Sequence, residues 1–535
     1  MSTRNNLRRI AGAAALLALF TFYIAMRPLG VHVSDSYAWV NTIEQEAYGY
    51  FFHPHHLLYL PLAWRWNQLA HVLLPGAPVW GALAGMSAAF GCAGAAALYL
   101  SLRLLGARAA GAAAGTALAA FSFGYWFFSS DAEVYTVSAS CALWAVYWLT
   151  RYSTQGTLSP ALWAGAAAGF AALFHQTGIF LFVPAGLVFA AFRRQRGMAA
   201  PMSLFAAAFG ALVVPTYLAA AWAALPALGA APFVRWILLF GAEGYGGWGA
   251  ARTCGAPLGL VRGIVGGQMV LDWLRGAAGG GPWLWLGAAL ALAGLAAVGV
   301  LAMAAIARIR EAAFEAKVMA AAAAGGFATY AVFGTYFDPA NFEWWTIPVA
   351  LLVTSIAVLA LTGRRAAIAV ALAAAILVAS ANFALDFSYR RRPDCDLVRN
   401  AARRLAAMTT DEDVIVVPSY LGVLVWREAP HRRIICPDED KRKPGEADPA
   451  RRLEAMFDER GQGAGRVVIA GCEGERKSRS FANMILRRVP TDDRQVIGSI
   501  LFFTSAKGPV RKVGQVPVLA VGRRSRVVAS GAQAF

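Results

Sequence analysis

What most constrains this chain is a succession of apolar runs, each about as long as a lipid bilayer core is thick when wound as a helix. A helix crossing the hydrocarbon needs about 20 mostly apolar residues. Stretches near 10–28, 80–102, 110–128, 134–150, 199–222, 283–307, 317–334, 345–362 and 366–385 meet or approach that length. The 535 residues are 58% hydrophobic and 15% charged, with a mean hydropathy of +0.52, which excludes an ordinary soluble enzyme and fits a polytopic α-helical membrane protein. The segment 160–192 is too long for one crossing, since at 1.5 Å per residue it would reach about 50 Å against a core of about 30 Å. Two short helices, 160–174 and 176–192, are expected, with the His175-Gln176 junction recessed and lining a cavity. The total is eleven spans.

Lys and Arg near span ends stay in the cytoplasm. Of the 20 before residue 386, 14 fall on the side of the amino terminus, and nine of eleven acids fall on the other. The threading therefore puts the amino end in the cytoplasm and the carboxyl end outside. Ile10 to Met26 has no small-x-small cleavage site behind it, so it is expected to remain as the first span rather than leave as a signal peptide. The net charge of +18 is explained before residue 386 by topology, which removes the case for nucleic acid as a partner. The six cysteines show no metal-ligand spacing.

Two outer loops are long. Residues 27–78 contain His56 to Leu74, which suits a helix lying in the interface. Residues 225–282 hold two apolar stretches, Phe233 to Phe240 and Leu258 to Leu274, around a glycine-rich run from Gly241 to Trp248, and resemble a mobile lid. Composition changes near Leu385, with 28 Lys/Arg and 19 Asp/Glu in the last 150 residues. The expected domains are thus a membrane domain, 1–385, and a soluble extracytoplasmic α/β domain, 386–535. Strands are expected at 413–417, 433–436, 466–470, 497–504 and 516–521, and helices at 397–408, 449–460 and 479–488. No Gly-x-Gly-x-x-Gly or Walker pattern accompanies them.

The threading collects acids and histidines at one face. Asp35 follows the first span and suits a general base at the mouth of a cavity, or a cap for a helix from Tyr37 to Ala47. His53, His55 and His56 suit metal ligation with Glu44, Glu46 and Asp35, or hydrogen bonding to headgroups and a neighbouring carboxylate; the second is favoured, so no metal and no cofactor are expected. Asp131 and Glu133 occupy a short outer turn, where buried acids point to function and a helix cap is equally served. His175 is either a site residue or a satisfied polar junction. Asp338, in the run Asp338 to Trp345, joins carboxylates to tryptophans, a pairing that suits sugars, although tryptophan is also an ordinary interface residue.

An acid after the first span, His53-Pro54 ahead of a loop helix containing Tyr59, Ala132-Glu133-Val134-Tyr135 opening the fourth span, and His175 between two short helices occur in that order. In this the chain resembles the GT-C superfamily of membrane glycosyltransferases, especially bacterial relatives of protein O-mannosyltransferases, over residues 10–385. Ser36 after Asp35 and His55-His56 in place of Pro-Gly depart from the pattern. The resemblance implies transfer of a sugar from a polyprenyl-phosphate donor to a glycan, lipid or protein acceptor at the outer face of the bacterial inner membrane. It implies Asp35 as base and Glu133 or Asp131 with His175 as positioning groups, His53, His56, Tyr135 and Asp338 lining the substrate site, and one of Arg235, Arg252, Arg262 and Arg275 on the lipid phosphate. A transporter or flippase of lipid-linked saccharide would show acids through the midplane or inverted repeats, and neither is visible. A noncatalytic assembly subunit is the third reading.

Overall fold

The structure is a computed structural model. It describes residues 3–28, 34–44, 51–225, 229–238, 247–267, 270, 274, 281–362, 365–388, 397–417, 422, 424–425, 428–429, 431, 433–435, 467–469, 494–504 and 511–521. Two compact units emerge: residues 1–28 with 42–391, and residues 29–41 with 392–535.

The helices of the first unit are α1 (Thr3–Ala25), the last three residues of α2 (Ser34–Glu44), α3 (Tyr59–Leu73), α4 (Val79–Leu104), α5 (Ala109–Ala120), α6 (Phe123–Ser130), α7 (Val134–Gln155), α8 (Ser159–Phe174), α9 (Phe182–Ala191), α10 (Arg193–Arg196), α11 (Ala199–Ala224), α12 (Ala230–Ile237), α13 (Ala250–Val265), α14 (Pro282–Arg308), α15 (Phe314–Phe337), α16 (Thr346–Ala360) and α17 (Arg365–Asn382). Among the described residues, six helical segments are long and apolar enough to cross a membrane: 79–104, 199–224, 282–308, 314–337, 342–360 and 365–387. Alanine and glycine line their contacts, so α4 packs on α7, α7 on α8 and α8 on α11, while α14 packs on α17 and α15 on α16.

The segment 160–192 breaks where its length requires. α8 stops at Phe174, a 3₁₀ turn runs Gln176–Leu181, and α9 follows. A Cβ on Gly178 would collide with the backbone of Ala171 and Ala172, so only glycine lets the turn lie against the end of α8. The run 110–128, expected as one helix, is instead two. Ser122 Oγ donates to the Ala119 carbonyl at 2.7 Å and Asn382 Nδ2 reaches the Phe121 carbonyl at 2.9 Å, so protein groups satisfy the interrupted backbone inside the fold.

α13 docks on the turn ahead of α16. A Cβ on Gly259 would overlap Pro339 and Trp345, which shows how closely the two backbones approach. The far end of α13 is held as Asn382 Nδ2 donates to the Ile264 carbonyl at 3.0 Å and Gly267 N–H donates to Asp386 Oδ2 at 2.6 Å. Of the expected lid run Gly241 to Trp248, residues 241–246 lie outside the described residues, and Gly247 N–H donates to the Tyr336 carbonyl at 3.0 Å.

The second unit holds the first part of α2, the helix α18 (Leu397–Met408) and a five-stranded sheet of order β2-β1-β3-β5-β4, with β1 (Val414–Val416), β2 (Arg433–Ile435), β3 (Val467–Ile469), β4 (Arg494–Thr504) and β5 (Arg511–Val521). β1 pairs parallel with β2 and β3, and β5 is antiparallel to β3 and β4. The helices expected at 449–460 and 479–488 lie outside the described residues.

Candidate functional site

The site begins at the turn between α6 and α7. Asp131 and Glu133 are both fully buried there. Asp131 Oδ1 accepts from Trp80 Nε1 at 3.1 Å and from the Ala132 N–H at 2.8 Å. Glu133 is the N-cap of α7, its Oε2 accepting from Val134 N–H at 3.3 Å, and Ser87 Oγ donates to its carbonyl at 3.2 Å. Tyr59, on the first turn of α3, lies buried beside both acids; burial first, then the charges of Glu133 and Asp131, push its hydroxyl pKa well above the usual tyrosine value. These partners make the turn rigid at the point where charge is concentrated.

The loop 53–58 is laid along the break between α8 and α9. Leu58 N–H donates to the Leu173 carbonyl at 3.1 Å, and Gln176 N–H to the His55 carbonyl at 3.3 Å. Gln176 Nε2 bridges the carbonyls of Pro54 and Ile237 at 3.0 and 3.2 Å, and Tyr217 Oη donates to Pro54 at 2.8 Å. His175, the C-cap of α8, is thereby brought under the histidine loop. Its ring centroid is 5.0 Å from His56, 5.4 Å from Tyr135 and 5.3 Å from Trp344, and His53 stacks on His56 at 5.5 Å. Burial, helped by the neighbouring His56, pushes His55 down to about 3, and burial pushes His56 down to about 4 against the opposing effect of its bond to Phe174. Both are neutral at pH 7. Among the described residues, no three of His, Cys, Asp and Glu stand where they could share a metal ion.

The third wall is the turn 338–345. Tyr135 Oη donates to Glu343 Oε2 at 3.1 Å, and Asn341 Nδ2 donates to the same oxygen at 2.8 Å. Trp345 Nε1 donates to the Pro339 carbonyl at 2.9 Å, and Arg262 of α13 donates to the Ala340 carbonyl at 2.9 Å while covering Phe342. Glu343 and Trp344 are half-buried at this edge.

With this geometry in hand, solved structures supply a comparison. ArnT from Cupriavidus metallidurans bound to undecaprenyl phosphate superposes with a TM-score of 0.55 at 12% identity over 100% of both chains. Its apo state gives 0.56 at 11% identity over 99% of this chain and 100% of that one. The chain has the ArnT fold. No family model matches the sequence, and neither does any curated protein.

Within this ArnT-like fold the expected site residues separate. His53, His56, Tyr135, His175, Asp131 and Glu133 lie along one connected wall. Asp338 is exposed on its turn, and Glu343, which the sequence reading noted only as part of the same polar run, is the acid bonded to Tyr135. Asp35 belongs to the second unit, in the first turn of α2. Arg235 is exposed on α12, two residues before the carbonyl that Gln176 holds. Arg252 lies on α13 with its side chain undescribed, and Arg275 lies outside the described residues. Trp80 holds Asp131; no spacing in the sequence ties the two, because the bond spans two helices.

Proposed function

We propose that the protein is a polytopic membrane glycosyltransferase that moves a sugar from a polyprenyl-phosphate carrier to an acceptor at the outer face of the membrane. The observation that carries this reading is the ArnT likeness over the whole chain, since ArnT is a GT-C family glycosyltransferase and its structure holds undecaprenyl phosphate. The proposal includes eleven spans, an inner-membrane location, an amino end in the cytoplasm, and an extracytoplasmic, soluble α/β domain after residue 385.

In the reaction, Asp35 takes the proton of the acceptor hydroxyl as its oxygen attacks the anomeric carbon. The bond from that carbon to the phosphate oxygen breaks, and the polyprenyl phosphate leaves with the electron pair. Arg235 is the favoured cation for the growing phosphate charge, being exposed on the helix tied to Gln176 beside His175. Glu343 lines the polar wall that receives the sugar, with the fully buried Glu133 and Asp131 as positioning groups. Relatives of protein O-mannosyltransferases suggest mannose as the first donor to try. Full-length protein incubated with labelled undecaprenyl-phosphate mannose and an envelope extract should release undecaprenyl phosphate and pass label to a second molecule. Donor that stays intact across a panel of undecaprenyl-phosphate sugars would remove the reading.

A further inference from the structure

The backbone fixes the tautomers of the two imidazoles that meet at the helix break, and it fixes them in opposite senses. A backbone N–H can only donate, so the bond from Thr177 N to His175 Nδ1 at 3.3 Å makes Nδ1 the lone-pair side of that ring. Thr177 Oγ1, 2.7 Å from the same nitrogen, therefore donates to it as well. The ring proton of His175 is left on Nε2. At His56 the partner is the Phe174 carbonyl, 3.2 Å from Nδ1, and a carbonyl can only accept, so Nδ1 carries the proton and Nε2 the lone pair.

The consequence is a donor and an acceptor on neighbouring rings 5.0 Å apart. His175 is 4% exposed, and among the described residues its Nε2–H has no hydrogen-bond partner, while Tyr135 and Trp344 flank the ring. A phosphate oxygen suits this place poorly, because Tyr135, whose ring lies 5.4 Å from that of His175, is bonded to the Glu343 carboxylate. A hydroxyl accepts and donates at once.

We propose that His175 is a fixed hydrogen-bond donor to one hydroxyl oxygen of the transferred sugar, and that Thr177 is the positioning residue that holds it in that tautomer. This rests on the glycosyltransferase reading and adds to it a sugar-reading contact and the residue that sets it. It also separates His175 from proton abstraction, since the lone pair of its ring is already engaged.

The test has two arms on full-length protein in nanodiscs. In the first, nitrogen NMR of ¹⁵N-histidine protein, with His175→Gln for assignment, should show a pyridine-like Nδ1 and a pyrrole-like Nε2 at His175. Thr177→Val removes the 2.7 Å hydroxyl bond and leaves only the longer one from the backbone N–H, so it should admit a share of the other form, which Thr177→Ser should remove; a pyridine-like Nε2 in the wild type overturns the tautomer. In the second, Thr177→Val should raise the KM for an undecaprenyl-phosphate hexose about tenfold with little change in kcat, the scale of one weakened hydrogen bond. Across a series of monodeoxy donors, that penalty should vanish for one position alone. An equal penalty for every donor overturns the hydroxyl contact. Wild-type protein that turns over no donor overturns the glycosyltransferase reading, and the sugar partner with it, whereas the nitrogen spectrum still decides the tautomer.

Discussion

At Tyr135 one hydroxyl links α7 to the turn that carries Glu343, and its loss should be felt in substrate handling more than in folding. A hydrogen bond to a charged group is worth about 1.5–3 kcal/mol. Tyr135→Phe is therefore expected to lower the melting temperature slightly and, by releasing the Glu343 turn, to lower kcat/KM by about tenfold or more; melting curves and a steady-state comparison at several donor concentrations check this. Asp35→Asn keeps shape and removes a proton acceptor, so it should cost about 10²–10⁴ in rate under the proposed mechanism. Turnover at the wild-type level would leave Asp35 as a first-turn acid facing the positive end of α2, which begins at Ser34 rather than at the expected Tyr37. The histidine loop predicts a pH dependence of stability. His55 and His56 have folded values of about 3 and about 4 against 6.5 when unperturbed, so the unfolded chain binds protons first. Their contribution is fully present above about pH 6.5 and is lost as pH falls toward 4 and then 3. Melting curves in detergent should drop through that window, and His56→Gln should flatten the drop. Residue types made much of this wall legible in sequence: the acids and histidines were visible because such groups are costly near lipid. Glu343 was harder to separate from Asp338, since both sit in one polar run and only the fold turns one of them toward Tyr135.

The helix break at His175 was legible because it follows from length alone, a 33-residue run being too long for one crossing. The loop 53–58 zipped to that break was not, because its bonds use the carbonyls of Pro54, His55, Leu173 and Phe174, which every residue possesses. The split between α5 and α6 was hidden for a similar reason: it depends on Asn382, some 260 positions away, reaching the Phe121 carbonyl. α13 offers the sharpest test at this scale. Gly259→Leu would force a side chain into Pro339 and Trp345, and overpacking of this kind costs about 1–3 kcal/mol. The expected result is a lower melting temperature together with weakened donor use, because Arg262 and the Glu343 turn move with the helix. A full-strength Gly259→Leu enzyme would show that α13 and the turn are independent. On α12, Arg235→Lys should weaken donor use while acceptor affinity changes little, since a lysine cannot copy a bidentate guanidinium; an unchanged donor titration would send the phosphate contact to another arginine.

For the molecule as a whole, sidedness is the property everything else depends on. Single cysteines at exposed positions report it: Ala109→Cys and Thr157→Cys are expected to label from the cytoplasm, and Pro75→Cys and Asp411→Cys from outside. Cytoplasmic labelling at Asp411 would break the eleven-span threading and remove the sheet from the outer side. The six long apolar helices were plain in the sequence, as were α18 and the five described strands after residue 385, because hydrophobic period and run length carry that information. The assignment of residues 34–41 to the second unit was not, because a short segment of mixed composition shows nothing of the partners it packs with. The break at His175 has a last implication, for biogenesis. α8 has 16 residues, and the 3₁₀ turn with α9 together another 16, so each half falls below the length of about 17–25 that a lone segment needs to leave the translocon for lipid. The two halves should therefore partition as one hairpin, with α8 waiting in the channel until Ala191 has been synthesised, and the ribosome must run well past the histidine before the membrane receives either half.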